Sequence, residues 1–231
     1  MSHIAIFGAT GLTGSYLLKY ALNDPNIEKV TTFTRRAIAE TDAKLNQHQV
    51  DFSQLEQFQS ALAVDTVFCC LGTTLKKAGS KAAFRAIDID LVERVARVAK
   101  QAGAKQFVVI SSQGASPQSK FFYSRCKAEI EYKLSVLFDN SECQLIICQP
   151  SLLLGERSEH RFAEGLGITF NKYCAWIWRG ALRKYRPILA ADLAEAMLSL
   201  AKACRVPRMV VDNRNLHNVV ATNHKLRNAQ E

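Results

Sequence analysis

The chain has 231 residues, of which 48% are hydrophobic and 22% are charged, which predicts a soluble, globular protein with one large domain and a sizeable core. It contains no apolar run long enough to span a bilayer, so we expect no membrane span. The formal net charge is +9, but the basic residues are dispersed and accompany no recognised nucleic-acid module. We therefore expect a solvated basic surface that partly serves an anionic ligand, and no nucleic acid partner.

The seven cysteines are scattered along the chain and form neither a C-x-x-C pair nor a Cys/His cluster with zinc spacing. Most of them lie in apolar patterns, where a free thiol behaves as a small hydrophobic group. The N-terminus runs directly into a predicted strand and leaves no room for a cleavable signal peptide. These features predict a cytoplasmic protein without a metal site.

The first predicted elements are a short apolar strand over residues 4–7, a glycine-rich turn that reads GATGLTG, and a helix. This order forms a cradle for the pyrophosphate of a dinucleotide. Gly8 allows a sharp turn, Gly11 allows backbone N–H groups to approach the phosphates, and Gly14 allows close packing of helix and strand. The helix N-terminus adds unpaired N–H groups and a positive dipole end. A strand-to-helix turn without a ligand is the alternative.

The second predicted strand covers residues 29–34 and ends at Arg35 and Arg36. In a nucleotide-binding fold this position faces the adenosine ribose. An acidic residue there would accept hydrogen bonds from the 2′-hydroxyl group and select NAD, whereas arginine pairs with the 2′-phosphate of NADP. We therefore expect NADP(H) rather than NAD(H). Two solvated loop arginines are the alternative.

Two further strands are predicted to complete the cofactor edge of the sheet. A third short strand and its exit cover residues 49–52, where Asp51 either accepts from the adenine amino group or caps the helix predicted over 55–62. An apolar strand over 65–71 ends at Gly72. The backbone of Leu71 and Gly72 could then lie against the ribose next to the nicotinamide.

The rest of the chain continues the alternation of strands and helices. We predict helices over 81–102, 121–135 and 193–203, the last capped by Asp192, and strands over 105–110, 144–148 and 209–211. The tail after residue 217 is polar and shows no pattern. The alternation predicts an α/β fold, a doubly wound parallel sheet of the Rossmann type. We expect one domain over 1–231, with a core of about 1–150 and a small C-terminal part, about 151–231, that covers the substrate.

Candidate catalytic residues follow the strand over 105–110. Ser111 and Ser112 stand at its carboxyl end, where open α/β sheets bind ligands. Tyr123 and Lys127 are four residues apart on the next predicted helix and therefore share one face. A lysine ammonium near a phenol favours the phenolate, so the tyrosine could exchange a proton with a carbonyl or alcohol oxygen during hydride transfer. A serine would hold the same oxygen. A surface Tyr–Lys pair is the alternative.

These motifs give the chain its resemblance to a known family. It resembles the TIP30-like group of atypical short-chain dehydrogenases/reductases, through the stretches GATGLTG, TRR, VDF, FCCLGTT, SSQGA, FFYSRCKAE and QPSLLLGER, which cover about two thirds of the chain. The resemblance implies a cofactor site made of Thr10, Leu12, Thr13, Arg35, Arg36, Leu71, Gly72, Tyr123, Lys127, Leu153 and Arg161. The catalytic serine stays open, because the distance to Tyr123 favours Ser111 and the distance to Gly114 allows Ser112. Gln149 departs from the Arg-Pro pattern of related chains, which removes support for an anion-binding role there.

The leading hypothesis is an NADP(H)-dependent oxidoreductase acting on a small-molecule carbonyl or alcohol. A sugar-nucleotide epimerase or dehydratase is a second enzymatic hypothesis, although the short C-terminal part leaves little room for a nucleotide sugar. A non-catalytic NADPH-binding redox sensor with a protein partner is the third. The sequence defines neither the substrate nor the oligomeric state.

Residues 162–185 combine aromatic and basic side chains. Three interpretations stay open for this segment: an aromatic-lined lid over the substrate, a basic amphipathic surface for a membrane or a partner, and helices packed on the sheet.

Overall fold

The computed structural model describes residues 2–155 and 185–229. Nine strands lie in these ranges: β1 (His3–Phe7), β2 (Lys29–Thr34), β3 (Leu45–Gln49), β4 (Thr66–Cys69), β5 (Gln106–Ile110), β6 (Gln144–Gln149), β7 (Leu153–Leu154), β8 (Ile188–Leu189) and β9 (Arg208–Asp212). Seven of them form one sheet in the order β3-β2-β1-β4-β5-β6-β9, and β7 pairs with β8 in a second, two-stranded sheet. Every neighbouring pair of strands is parallel. The expected doubly wound parallel sheet is therefore confirmed.

Helical segments connect and cover these strands. They are α1 (Leu12–Asn23), a 3₁₀ segment (Phe52–Leu62), α2 (Leu75–Ala78), α3 (Lys81–Arg85), a π-helical segment (Ala86–Leu91), α4 (Val92–Gln101), α5 (Phe122–Leu137), α6 (Ala190–Ala203) and α7 (Asn213–Asn228). The predicted helix over 81–102 is thus one continuous helix, in which the π-helical segment separates α3 from α4. No helix among the described residues is both long and apolar enough to cross a lipid bilayer.

The inner strands β1, β4, β5 and β6 are buried on both faces, as their apolar sequences predict. Alternate residues of β1 serve opposite sides: Ala5 and Phe7 belong to one core, and Ile4 and Ile6 belong to the other. The first core lies under α4 and α5, and the second lies under α1, α6 and α7. Helices therefore cover both faces of the sheet.

The strand order places a crevice at the centre of the carboxyl edge. From β1 the chain moves outward through β2 and β3 and then returns to β4, on the opposite side of β1. Connections on the two sides of this point diverge, and ligands of doubly wound sheets bind in the resulting crevice. The glycine turn follows β1 and the segment containing Gly72 follows β4, so both line this point.

Two local predictions are wrong, and one segment without a prediction forms a helix. The third strand lies at Leu45–Gln49 rather than over 49–52, because a polar sequence pairs with β2 at the sheet edge. Asp192 does not cap α6, because the helix begins at Ala190. The Asp192 carboxyl group therefore lies in the first turn, where a negative charge interacts favourably with the positive end of the helix dipole. The polar tail after residue 217, for which the sequence predicts no element, belongs to α7, which starts at Asn213 and buries Leu216 and Val220.

Candidate active site

The glycine turn after β1 is shaped by close backbone contacts. Gly8 has φ +79°, and a Cβ atom on it would lie 2.7 Å from the Cys70 carbonyl oxygen. A Cβ atom on Gly14 would lie 2.1 Å from the Gly8 carbonyl oxygen. The Gly11 N–H group donates to that same oxygen at 2.9 Å. The turn and the start of α1 therefore require residues without side chains at two positions.

The start of α1 offers donors to an anion. Gly11 is its N-cap residue and no side chain caps the helix. Because first-turn N–H groups have no acceptor within the helix, the amides of Leu12, Thr13 and Gly14 stay available for a phosphate. Thr13 is buried and Thr10 is exposed. These donors are the part of the site that fits a pyrophosphate group.

The segment after β6 comes close to this turn. A Cβ atom on Gly155 would lie 3.0 Å from the Leu12 side chain and 3.5 Å from Ala190. Leu153 is half-buried and pairs with Ile188 across the small sheet. Arg161 and all but the last residue of the segment 162–185 lie outside the described residues.

Arg35 and Arg36 lie in the turn that follows β2, and both are exposed. Their backbone is fixed, because the Thr34 hydroxyl donates to the Arg36 carbonyl oxygen at 2.7 Å and the Gln49 amide donates to the Arg35 carbonyl oxygen at 3.2 Å. Within the described ranges, neither guanidinium group forms a hydrogen bond or an ion pair. Two exposed positive charges thus follow the carboxyl end of β2.

Asp51 is engaged as a helix cap. Its carboxylate accepts from the Ser53 N–H group at 2.9 Å and from the Ser53 hydroxyl at 2.7 Å. These hydrogen bonds hold the pKa of Asp51 below its ordinary value. Of the two roles expected for Asp51, the contacts support capping of the 3₁₀ segment.

Tyr123 and Lys127 lie together on α5. The Tyr123 side chain is half-exposed, and its ring meets the buried Phe84 ring edge-on at a centroid distance of 5.9 Å. The Lys127 ammonium lies 5.8 Å from the centre of the Tyr123 ring. The lysine is buried, while the tyrosine reaches solvent.

A buried carboxylate holds the lysine. Asp88 of the π-helical segment pairs with the Lys127 ammonium at 2.8 Å, and its second oxygen accepts from the Thr73 N–H group at 2.8 Å. Burial by itself would lower the pKa of Lys127, but the Asp88 carboxylate, together with the Tyr123 phenol, outweighs burial and raises it. The lysine is therefore held in its charged form.

The two candidate serines are in different surroundings. Ser111 is buried, and its hydroxyl donates to the Glu131 carboxylate of α5. The Gln149 amide donates to both oxygens of the same carboxylate, at 2.9 and 3.0 Å. Ser112 is half-exposed, and its hydroxyl has a long contact of 3.4 Å to the Gln113 carbonyl oxygen. Ser111 and Gln149 thus serve a polar cluster on Glu131.

Sequence reasoning missed three residues of this region: Phe84, Asp88 and Glu131. Glu131 follows Lys127 by four residues, and this helical spacing could have placed it on the same face. Asp88 stands four residues after Phe84 and four before Val92, two apolar positions of the predicted helix. A carboxylate inside an apolar stripe was the available signal for Asp88.

Cysteine or metal chemistry finds no support among the described residues. Burial raises the pKa of both Cys69 and Cys148 to about 12, so these thiols are poor nucleophiles at neutral pH. No group of three or more His, Cys, Asp or Glu side chains in the described ranges could hold a metal ion.

Comparisons with known proteins agree with this geometry. The NAD dependent epimerase/dehydratase family profile matches residues 4–210. The chain is 35% identical to the mitochondrial protein FMP52 of Candida albicans over 204 residues, 85% of this chain and 86% of that protein. It is 40% identical to HTATIP2 of Rattus norvegicus over 172 residues, 72% of this chain and 69% of that protein.

A solved structure shows the same fold. MoeE5, in complex with UDP-glucuronic acid and NAD, superposes with a TM-score of 0.70 at 17% identity, over 91% of this chain and 75% of that chain. At this identity the likeness concerns the fold alone.

Proposed function

This chain belongs to the NAD dependent epimerase/dehydratase family, and within it to the TIP30-like group of atypical short-chain dehydrogenases/reductases that includes HTATIP2; we propose that it is an NADP(H)-dependent oxidoreductase. It transfers a hydride to or from a small carbonyl compound or alcohol. One observation carries this proposal: the half-exposed Tyr123 stands beside a buried, charged Lys127 at the crevice of the sheet. The proposal assigns to them the proton transfer that accompanies hydride transfer.

The cofactor is proposed to lie across the carboxyl ends of β1 and β4. The α1 amides would hold its pyrophosphate, and Arg35 with Arg36 would pair with the 2′-phosphate of NADP(H). The preference for NADP(H) is supported by two arginines with exposed guanidinium groups and with backbone carbonyl groups held by hydrogen bonds. Leu71 and Gly72 would lie against the second ribose, and Lys127 has further N–H groups to offer to its hydroxyls.

When bound, the nicotinamide supplies or accepts the hydride. The Tyr123 hydroxyl would give its proton to the carbonyl oxygen during reduction, and the Tyr123 phenolate would accept the proton of the alcohol during oxidation. Lys127 places a positive charge beside the phenol that exchanges this proton.

Ser112 is proposed to hold the substrate oxygen. The support for Ser112 over Ser111 is the hydrogen bond that commits the buried Ser111 hydroxyl to Glu131. Ser112 keeps a half-exposed hydroxyl whose described contact is at the long limit of a hydrogen bond.

A variant pair tests the assignment of Tyr123. Tyr123→Phe removes the proton-exchanging hydroxyl, and we expect NADPH consumption on a panel of aldehydes, ketones and quinones to fall at least about 100-fold. Tyr132→Phe on the same helix removes an exposed hydroxyl (72% exposed) and should keep full activity. A folded Tyr123→Phe protein with unchanged activity would contradict the assignment of Tyr123 as the proton-exchanging residue.

Membership of the NAD dependent epimerase/dehydratase family favours a sugar-nucleotide epimerase or dehydratase as second candidate. Enzymes of that type keep the cofactor through turnover, so purified protein would release NAD(P) on denaturation. Cofactor-free protein that consumes added NADPH favours the oxidoreductase. Tight NADPH binding without turnover, and a protein partner captured in only one redox state, would favour the redox sensor.

We propose a cytoplasmic location, with mitochondria as the alternative that the name of the FMP52 relatives raises. The six cysteines in the described ranges are free thiols, which suits a reducing compartment of either kind. Cell fractionation with an antibody to the untagged chain distinguishes the two.

A further inference from the structure

The π-helical segment Ala86–Leu91 brings a carboxylate into the protein interior. Its wide turn buries two successive residues, Asp88 and Ile89. Asp88 has 1% of its surface exposed, and Lys127 has 4%. π-Helical turns are rare and occur frequently at functional sites.

Stability alone does not explain this pair. Removing two charges from water is costly, and apolar residues of similar size often stabilise an interior as well or better. Asp88 moreover joins two parts of the site, because one oxygen faces Lys127 and the other accepts the Thr73 N–H group, next to Gly72. It therefore links the segment after β4 to the helix that carries Tyr123.

Among the described residues, Asp88 is the carboxylate that pairs with Lys127, and the other groups acting on the pair are a phenol and two thiols. The titratable groups that act on it are Tyr123 and Cys126 of α5 and Cys69 of β4. Of these, the Cys69 thiol stays neutral at physiological pH because burial raises its pKa to about 12. The charge of Lys127 therefore depends on Asp88.

We propose that Asp88 is a positioning residue of the active site, which keeps the buried Lys127 protonated beside Tyr123 and fixes the Thr73 backbone against the cofactor. The catalytic role of Asp88 rests on the proposed function, whereas its effect on the charge of Lys127 is independent of that function. Without the carboxylate, burial dominates and the lysine loses its proton at a lower pH. Above that pH, the phenol has no positive charge beside it.

Lysine-selective ¹³C NMR of the cofactor-free protein tests the charge directly. The Lys127 signal is assigned by its absence from Lys127→Arg. We expect wild-type Lys127 to titrate above an ordinary lysine, and in Asp88→Asn to titrate about two pH units or more below its wild-type position. Asp90→Asn, an exposed neighbour in the same segment, should leave the signal unchanged. A wild-type Lys127 that titrates at or below the ordinary lysine value overturns the proposal without any variant.

The pH dependence of alcohol oxidation supplies the second readout. Asp88→Asn should move the alkaline limb of kcat to lower pH, to the pH at which Lys127 loses its proton in that variant. The NADPH Kd measured below that pH should change little, because the amide oxygen still accepts the Thr73 N–H group. In a Lys127→Arg background the same change should not move the limb, since arginine stays charged. A kcat limb of Asp88→Asn that coincides with the wild-type limb overturns the proposal. An inactive wild type that shows the expected NMR shift contradicts only the proposed function.

Discussion

Gly14 packs directly on the carbonyl group of Gly8: a Cβ atom on Gly14 would lie 2.1 Å from that oxygen and 2.8 Å from its carbon. Both neighbours are backbone atoms, so no side-chain rotation relieves the contact. Close packing at this point sets how the first turn of α1 meets the end of β1. The donors of the proposed phosphate site depend on that arrangement.

Gly14→Ala therefore should displace α1 from the turn. We expect an unfolding free energy lower by about 1–3 kcal/mol and a loss of NADPH affinity of at least tenfold, because the α1 amides move with the helix. Urea unfolding and NADPH titration measure the two effects. Ser15→Ala, at the exposed neighbouring position, serves as control and should stay within about 0.5 kcal/mol. Wild-type affinity in Gly14→Ala would contradict the packing argument.

Gln149 supports a carboxylate that has no described cationic partner. Its amide donates to both oxygens of Glu131 at 2.9 and 3.0 Å. Gln149→Leu removes these donors, and we expect a loss of about 1.5–3 kcal/mol in urea unfolding, the usual range for hydrogen bonds to a charged group. Gln149→Arg restores donors in a fork that suits a carboxylate and should recover most of that loss. Equal stability of Gln149→Leu and wild type would show that the cluster contributes little.

Asp65 secures the start of β1 to β5. Its carboxylate accepts from the N–H groups of Ser2 and His3 at 2.7 and 3.1 Å and pairs with Lys105 at 2.7 Å. Burial opposes ionisation, but these donors outweigh it and hold the pKa of Asp65 well below its ordinary range. A carboxyl with a lowered pKa in the folded state stabilises the fold above its unfolded pKa of about 4, and this contribution fades as the pH falls.

Asp65→Asn should accordingly cost about 1–2 kcal/mol at pH 7 and less at pH 3, since wild type loses the charge contribution on acidification. Urea unfolding at both pH values measures the difference. Asp90→Asn, at an exposed position, should show a smaller change. A deficit of Asp65→Asn that is constant or grows toward pH 3 would contradict the sign of the pKa shift.

Local apolar patterns predicted the core of the sheet. The runs at β1, β4, β5 and β6 are buried on both faces, so their apolar composition alone predicts them as strands of the core. The polar β3 sequence, LNQHQ, carries no such signal and is a strand because β2 offers a free edge for pairing. Likewise, α7 shows few apolar residues and is fixed by packing of Leu216 and Val220 against the second core.

Within the candidate site, spacing predicted which residues share a face but not which contacts they make. Tyr123 and Lys127 lie together as their spacing indicates. The partner of Lys127 could not be read in this way, because a π-helical turn far along the chain brings Asp88 to it. The Ser111 hydroxyl was likewise ambiguous until Glu131, twenty residues later, was seen to accept from it.

We propose that this chain binds NADP(H) through the glycine turn and the two arginines after β2. A side-by-side titration with NADPH and NADH, followed by nicotinamide fluorescence, tests it most directly, with an Arg35→Ala/Arg36→Ala variant beside wild type. We expect micromolar binding of NADPH by wild type, NADH at least about tenfold weaker, and equal, weak affinities in the variant. Equal affinities in wild type would remove the arginines from the preference, and a folded, cofactor-free protein that binds neither would contradict the proposed function.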